Sequence, residues 1–476
     1  MVFTTMYCFN KNFFFNYPIS LLLIFFSHFI NLGGSLYLKS FELTIITEHL
    51  RTPIQTIGNL VLFNFIIILS HQIYIKIQLS KTIQFKLRKF LKKLKFDDLY
   101  NIKFLYFLSS IAVLSKLFFF DFNIPLDYQQ NSNGPSLLGD IIYGFKFIIY
   151  LPVVIFFSNF LYKKKIKKSE KIPFFLYIIV MSIISISTNV RSIIFDILII
   201  SAMISFLVFI FDDEGELLKK NILKFFMIII FSFPLINFLE NFSNNYILER
   251  ASAQNNTPIE NIYSFFNSEN FFKDNKKFNN NSISGEIFFN EEYYEHGLFN
   301  RINILLVNDN LNYAKNNLSV YQIGLVKKLQ INQIISILPQ PLINLFSKDF
   351  NKNDYLKQST ASYIYGKVAA NYGGKNIGSV LVLLHIIFGV YVYLLLFFIF
   401  IPSFIIFDSF YLSDEKKFSP YILIFFYTTS FGILNMLATT DLSPIFTLTF
   451  RAIPQTLLYV FIVRYIFNFF IYKKND

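Results

Sequence analysis

The stretch IGSVLVLLHIIFGVYVYLLLFFIFIPSFIIFDSF, residues 377–410, decides the fold class. It is predominantly apolar for 34 residues, whereas a helix that crosses a hydrocarbon core of about 30 Å needs about 20 residues. The stretch is therefore either two short spans or one long helix with a kink at Pro402. A large polar segment precedes it and a lysine pair, Lys416–Lys417, follows it. Because lysines favour the cytoplasmic side, an odd number of crossings is required, and we expect one long kinked helix.

Composition extends this interpretation to the whole chain. The 476 residues are 54% hydrophobic, with a mean hydropathy of +0.48, and apolar runs of spanning length recur along the sequence. These properties predict a polytopic α-helical membrane protein. The single cysteine, Cys8, excludes a disulfide within the chain. Tyrosine must supply the interfacial aromatic belt, since the chain has no tryptophan.

The net charge of +13 is distributed in a way that argues against nucleic-acid binding. Lysines cluster in short segments between apolar runs, notably 76–103 and 163–168, and this is the pattern of cytoplasmic loops. The first of these segments has two open interpretations. It is either a plain topology anchor or an amphipathic helix on anionic lipid, with apolar residues facing the bilayer. Those residues are Leu87, Phe90, Leu91 and Leu94.

The apolar runs predict about ten spans, with both termini in the cytoplasm and one large loop outside the membrane. Three domains follow: an N-terminal bundle of about seven spans (1–239), the large loop (240–376) and a C-terminal group of about three spans (377–476). The predicted spans are 17–38, 54–75, 104–122, 141–162, 172–190, 192–211, 222–239, 377–410, 421–437 and 453–471.

Cations at the predicted outer face are the strongest functional signal. A charge at membrane depth costs roughly 2.5–3.5 kcal/mol on insertion scales and is a functional candidate by default. Arg191 lies in a tight outer turn, and its guanidinium suits bidentate binding of phosphate oxygens. Snorkelling or pairing with a nearby carboxylate is the structural alternative. The full set is Lys116, Lys146, Arg191, Arg250, Arg301 and Arg451.

Acids and histidines of the predicted outer face are candidates for a general base. His296 and Glu295 lie together in a dense polar cluster, while His385, inside the long apolar stretch, is expected to be a hydrogen-bonded bundle residue. No second histidine has the spacing of a metal ligand, and no phosphate-binding glycine loop occurs, so neither a metal nor a cofactor is expected. The acids are Glu291, Glu292, Glu295, Asp309 and Asp441.

Three features together resemble a known family. The chain has about ten spans with one large outer loop in its second half. The turn TNVRS (188–192) leads directly into an apolar span. The loop ends with PQP (339–341), then NYGG (371–374) and Gly378, before a span that contains Gly389. This arrangement resembles the Wzy-type polymerases of O-antigen or oligosaccharide repeat units in bacterial envelopes, over roughly residues 100–470.

The resemblance implies a GT-C-like glycosyltransferase of the bacterial inner membrane that works without a metal. It would join undecaprenyl-pyrophosphate-linked oligosaccharides at the periplasmic face, among membrane lipids and with a chain-length regulator as a possible partner. Cations would stabilise the pyrophosphate leaving group. In that case Arg191 and Arg301 would act on pyrophosphate, and His296 or Glu295 would activate the acceptor hydroxyl. The supporting substrate-binding cations would be Arg250, Arg451, Lys116 and Lys146.

Other functions stay open on the same sequence. A lipid-linked oligosaccharide flippase or another transporter would also place cations within the membrane. An O-antigen ligase is the nearest enzymatic alternative, although the His-Asn start of those ligases is absent near Gly373. An assembly protein whose loop docks a partner is a third. An enzyme predicts that Arg191, Arg250 and Arg301 converge beneath the loop, and a transporter predicts a cavity at mid-membrane.

Overall fold

A computed structural model gives the fold, which is almost entirely helical. The structure describes the following residues: 2–8, 10, 13, 16–41, 43–48, 50–93, 106–108, 110–111, 113–114, 149–154, 156, 168–187, 197, 200–201, 257–267, 304–338, 340–347, 349–351, 353–356, 359–368, 378–412, 417–418 and 453–472. Their contacts divide the chain into two units, which are described separately. The first contains residues 1–96, 281–418 and 428–454, and the second contains 97–280, 419–427 and 455–476.

Five helices are described in the N-terminal part of the first unit. They are α1 (Val2–Cys8), α2 (Pro18–His28), α3 (Gly34–Phe41), α4 (Pro53–Lys76) and α5 (Gln78–Lys93). A π-helical turn, Phe29–Gly33, joins α2 to α3 without interrupting the helical path. Pro53 begins α4, where a missing backbone N–H is harmless. The extended backbone of Ile77 ends α4 and lets α5 leave its axis.

The part of the first unit that falls in the predicted loop is also helical. Two helices of the second unit come first in the chain, α6 (Lys168–Ser187) and α7 (Pro258–Asn267). The helices of the first unit that follow are α8 (Ile304–Asn316), α9 (Val320–Ile335), α10 (Gln340–Ile343), α11 (Asn353–Leu356) and α12 (Thr360–Val368). A capping box starts α9, because Ser319 accepts from the Gln322 N–H while the Gln322 side chain accepts from the Ser319 N–H.

The stretch that decides the fold class is helical from Val380 to Ser409, and its break is not at Pro402. Helix α13 (Val380–Phe388) ends at Gly389, which has a φ of +56°, and a 3₁₀ turn (Gly389–Tyr391) leads into α14 (Val392–Ser409). Pro402 lies inside the regular helix α14. The helix is therefore interrupted at Gly389 and not at the predicted Pro402, because glycine adopts a positive φ without a steric cost.

Helices α4 and α14 pack side by side and run in the same direction. Phe63 meets Phe400 with ring centroids 5.8 Å apart, and further along both helices Tyr74 donates to Asp408. Helix α2 runs the opposite way: its start contacts Asp408 through Ser20, and the π turn at its far end packs against α8. The predicted topology requires these relative directions, because the span 17–38 leads out of the cytoplasm and the spans 54–75 and 377–410 lead back to it. The stretches 53–76 and 380–409 are long and apolar enough to cross a membrane.

The second unit contains α6, α7 and α15 (Ile453–Tyr472, from residue 455 onward). Phe174 of α6 stacks on Phe156 at 4.0 Å between ring centroids, and the hydroxyl of Tyr177 donates to the Ile149 carbonyl at 2.7 Å. Helix α7, which belongs to the predicted loop, packs against α6. The Asn261 amide of α7 donates to the Ser187 carbonyl, the last residue of α6.

A short antiparallel ribbon follows α14. Its strands are β1 (Tyr411–Leu412) and β2 (Lys417–Phe418), with Tyr411 opposite Phe418. The domain boundaries predicted at 239–240 and 376–377 lie outside the described residues. So do all or most of the residues in the predicted spans 104–122, 141–162, 192–211, 222–239 and 421–437. The ten-span count and the three-domain division therefore stay predictions.

Candidate functional site

Two polar clusters lie at opposite ends of the parallel pair α4 and α14, separated by apolar packing. We call them the Asp408 cluster and the Asp309 cluster. Leu60 and Phe63 of α4 and Leu396 and Phe400 of α14 are fully buried between the two clusters. Since buried polar groups in such an apolar setting are costly unless hydrogen-bonded, each cluster is a candidate site.

The Asp408 carboxylate is completely buried and accepts three hydrogen bonds. Oδ1 accepts from the Ser20 backbone N–H at 3.0 Å, and Oδ2 accepts from the Ser20 hydroxyl at 2.7 Å and from the Tyr74 hydroxyl at 3.0 Å. The carboxylate thus joins the start of α2 to the ends of α4 and α14. Arg88 of α5 donates through Nε and Nη2 to the Asp408 backbone carbonyl, at 3.3 and 3.0 Å, and satisfies an acceptor at the C-terminus of α14.

A chain of hydrogen bonds leads from Tyr7 to this carboxylate. The Tyr7 hydroxyl is 2.8 Å from Nδ1 of His71, and Nε2 of His71 is 2.8 Å from the Ser20 hydroxyl. Burial raises the pKa of Tyr7, so its phenol stays protonated and donates to Nδ1. His71 then carries its proton on Nε2 and donates to Ser20, which donates to Asp408. Every donor in this chain therefore has an acceptor.

The order of these groups limits their chemistry. In a Ser–His–Asp hydrolase the histidine lies between the serine and the carboxylate, whereas here Ser20 lies between His71 and Asp408. Ser20 and His71 are fully buried, so a hydrolytic substrate does not reach the serine. What the cluster can do is hold a proton or pass one along aligned donors and acceptors.

The Asp309 cluster closes the N-terminus of α4. The Asp309 carboxylate accepts from the backbone N–H groups of Arg51 and Thr52, at 2.6 and 2.8 Å, and from the hydroxyls of Thr52 and Thr56, at 2.8 and 3.1 Å. It serves as a helix cap supplied by α8. The sequence made Asp309 a candidate base on the predicted outer side of the membrane; the structure buries its carboxylate completely, and both oxygens accept hydrogen bonds.

The same end of the unit carries two cations. The Arg51 guanidinium lies over the Tyr313 ring of α8, 4.8 Å from its centroid. Lys315, also on α8, is half-buried and lies within electrostatic reach of His385 on α13. Burial lowers the pKa of the Lys315 amine, because desolvation disfavours the charged form. Among the described residues, no carboxylate forms an ion pair with Lys315.

Neutral hydrogen bonds hold these helices in place around the two cations. Nε2 of His385 is 3.0 Å from the Tyr393 hydroxyl, which donates to Asn59 of α4 at 3.0 Å. His385 is thus a hydrogen-bonded bundle residue, as predicted. The Asn312 amide donates to Thr56, and the Ser379 hydroxyl donates to Asn308. Helix α8 is therefore fixed to both α4 and α13.

The predicted site residues all lie outside the described part of the chain, so their placement stays a prediction. They are Lys116, Lys146, Arg191, Arg250, Glu295, His296, Arg301 and Arg451. Sequence reasoning missed the Asp408 cluster. The rule that singled out cations at membrane depth applies equally to acids, and Asp408 is the only acid in residues 377–410.

Neither a protein-family model, nor a curated protein, nor a solved structure matches the chain. In the described residues, no three His, Cys, Asp or Glu side chains lie together as metal ligands would.

Proposed function

We propose that this chain is a multi-pass glycosyltransferase of the bacterial inner membrane that polymerises undecaprenyl-pyrophosphate-linked oligosaccharide repeat units into O-antigen or capsular-type polysaccharide. It crosses the membrane about ten times, both termini are cytoplasmic, and residues 240–376 form a periplasmic loop. A Wzy-type reaction of this kind takes place at the outer face of the membrane.

One observation carries the proposal: α8 of the predicted loop is fixed to the end of α4 that the sequence predicts to be periplasmic. Lys315 of α8 and Arg51, which directly precedes α4 and lies over Tyr313 of α8, are therefore both at this end. Cations at that depth meet the headgroup level, where a lipid-linked pyrophosphate lies. An anionic ligand would also oppose the lowering of the Lys315 pKa by burial, because it favours the charged form of the amine. The contact of Asn261 with the end of α6 is a second loop–helix contact on the predicted periplasmic side.

The reaction needs cations where negative charge develops. An acceptor hydroxyl attacks the anomeric carbon of the donor glycan, the bond to pyrophosphate breaks, and the hydroxyl proton passes to a base. Arg191 and Arg301 would stabilise the departing pyrophosphate, and His296 or Glu295 would take the proton. Arg250, Arg451, Lys116 and Lys146 would hold the substrates, and we add Arg51 and Lys315 to this group.

The test is the length distribution of the polysaccharide in a deletion strain complemented with variants. Arg191→Ala should reduce polymerisation about 10²–10³-fold, the effect of removing one stabilising donor, and collapse the gel ladder to single capped units. Arg191→Lys should restore little of it, because the bidentate fork is lost. Immunoblots must show that each variant is present in the membrane. A normal ladder for Arg191→Ala would remove this residue from the site.

Lysines of the loop provide a matched pair for the same assay. Lys315→Ala removes the half-buried cation of α8 and should shorten the ladder. Lys328→Ala removes an exposed cation from the neighbouring helix α9 and should leave the ladder unchanged. Equal effects of the two variants would mean that Lys315 has no special role in polymerisation.

The Asp408 cluster favours a second candidate function, transport of a lipid-linked oligosaccharide. A buried carboxylate with a histidine and a serine in one hydrogen-bonded chain is the kind of group that proton-coupled transporters use. Complete deletion distinguishes the two functions. A transporter defect removes even the single-unit band, because no unit reaches the outer face, whereas a polymerase defect leaves that band.

A further inference from the structure

Helix α5 has three different faces, and one of them is buried against the rest of the unit. Ser80, Gln84 and Leu91 are buried against the protein, and Arg88 on the same side donates to the end of α14. This spacing of three and four residues places them on one stripe of the helix. The predicted lipid-facing role of Leu91 was therefore wrong, since the protein itself covers this side chain.

A second stripe of α5 is apolar and exposed. Leu79 is 66% exposed, Ile83 43% and Phe90 52%, and their positions i, i+4 and i+11 fall on one face that adjoins the buried stripe. Apolar side chains in such a row are unusual on a water-exposed surface.

The third face of α5 is basic. Its lysines are exposed, and the helix contains no acidic residue. Phe85 is the only large apolar side chain among them. The lysines are Lys81, Lys86, Lys89, Lys92 and Lys93.

We propose that α5 lies in the headgroup layer of the membrane and binds anionic phospholipid, with Leu79, Ile83 and Phe90 among the acyl chains and the lysines on the lipid phosphates. Charge complementarity selects this occupant. The exposed Lys81, Lys86, Lys89 and Lys93, on a helix that contains no acidic residue, match an anionic leaflet, and the adjoining apolar row matches the layer beneath it. A nucleic acid would leave the apolar row in water.

The position of α5 within the unit agrees with this occupant. The extended residue Ile77 turns the chain out of the direction of α4, and Arg88 holds α5 at the end of α14. That end is the one predicted to be cytoplasmic, where anionic lipids concentrate. The inference requires only that α4 and α14 cross the membrane, and it is independent of the reaction proposed above.

The first experiment measures the immersion depth of two faces in the full-length protein. Nitroxide labels at Ile83→Cys and Lys89→Cys are compared in vesicles of phosphatidylcholine with and without phosphatidylglycerol. The label at 83 should be accessible to oxygen and shielded from a water-soluble nickel chelate, and the label at 89 should show the reverse. Equal access of the chelate to both labels would overturn the proposal. Shielding of position 83 from both reagents would overturn it too, and would indicate a protein occupant.

The second experiment tests the charge dependence. Binding of phosphatidylglycerol to the detergent-solubilised full chain is titrated by native mass spectrometry, for Lys86→Gln/Lys89→Gln and for the control pair Lys327→Gln/Lys328→Gln on α9. Each lysine near an anionic surface contributes about five-fold in affinity, which corresponds to about 1 kcal/mol, so the α5 pair should bind about 25-fold more weakly. No loss, or the same loss in the control pair, would overturn the proposal.

Discussion

Asp408 joins three helices through one side chain. Its two oxygens accept from the backbone and hydroxyl of Ser20 and from the hydroxyl of Tyr74, while its own backbone carbonyl accepts from Arg88. Removal of a buried acceptor leaves its donors unsatisfied, and each such donor costs about 1–3 kcal/mol. The Asp408 side chain therefore stabilises the fold of the first unit, and it is also the candidate proton-binding group.

Asp408→Ala should destabilise the protein by about 3–5 kcal/mol, because three buried donors lose their acceptor and a cavity remains. Asp408→Asn keeps the shape and one oxygen, so we expect a smaller loss, about 1–2 kcal/mol. Thermal unfolding of the purified protein in detergent measures both.

Ser403→Ala is the matched control for these two variants. Ser403 lies on the same helix, and within the described part of the chain its hydroxyl bonds only to the Ile399 carbonyl one turn earlier. Its removal should therefore change stability by less than about 0.5 kcal/mol. If Asp408→Ala unfolds at the temperature of Ser403→Ala, the hydrogen bonds to the carboxylate do not stabilise the fold.

Cys8 should be almost unreactive. Burial raises the pKa of its thiol from 9.0 to about 12. At any pH below 9, the thiolate fraction of Cys8 is therefore about a thousandth of that of a cysteine with the ordinary pKa. Maleimide should therefore label Cys8 about 10³-fold more slowly than an exposed Lys86→Cys, and the rate should still rise tenfold for each added pH unit below that pKa. Mass spectrometry of timed samples gives both rates, and comparable rates would show that the thiol is accessible.

Single residues were the least predictable level. The candidate cations were chosen from their surroundings in sequence, but Ser20 and Asp408 are 388 positions apart and only the folded chain brings them together. Asp309 looked like an ordinary loop carboxylate, since nothing near it in sequence indicates that it caps the start of α4. His385 was predicted correctly because its apolar neighbours alone demand a hydrogen-bond partner.

At the scale of elements, the break between α13 and α14 depends on one backbone conformation. Gly389 has a φ of +56° and a ψ of −137°, a region that other residues adopt only with strain. Pro402 removes one backbone N–H from α14, yet the helix continues to Ser409. Nearby, the Ser403 hydroxyl bonds to the Ile399 carbonyl, as serines do in apolar helices that contain proline.

Gly389→Ala should destabilise the protein by about 1–3 kcal/mol through backbone strain alone, because a Cβ at this position would meet no atom within 4 Å. Gly58→Ala is the control: its Cβ also meets nothing within 4 Å, but it lies inside α4 and should be neutral or stabilising by up to about 1 kcal/mol. Thermal unfolding distinguishes them, and a stabilising Gly389→Ala would contradict the assigned break.

The bounds of helices were predicted well where the length and hydropathy of an apolar run determine them. The run 54–75 is α4, and the run 453–471 is α15, each within one residue at both ends. The orientation of α5 was only partly predicted. Its apolar residues form two adjoining stripes, and the sequence pattern does not distinguish the stripe that packs on the protein from the one that stays exposed.

At the scale of the whole molecule, the topology is the prediction to test. Tyr321 on α9 is 75% exposed and is predicted to be periplasmic, whereas Lys86 on α5 is exposed and predicted to be cytoplasmic. In spheroplasts, a membrane-impermeant maleimide should label Tyr321→Cys and should label Lys86→Cys only after the membrane is opened. The chain without either substitution controls for Cys8, and the reverse pattern would invert the topology.

The helical class was predictable from the sequence, and so were the relative directions of three helices in the first unit. Positive-inside lysines and the length of apolar runs require that α2 opposes α4 and α14, and the structure has that arrangement. The packing partners were not predictable, because hydropathy is nearly uniform around α14 and carries no information on which face meets α4.

The cap on α4 has a consequence for biogenesis. The N–H groups of Arg51 and Thr52 donate to Asp309, which the ribosome adds 257 positions after Thr52. Asp408, which accepts from the Ser20 N–H near the start of α2, is synthesised later still. Chains are synthesised from the N-terminus, so the first two helices enter the translocon before either end can be closed. In a nascent chain that ends before Asp309, the N–H groups of Arg51 and Thr52 therefore lack the acceptor that α8 supplies in the folded protein.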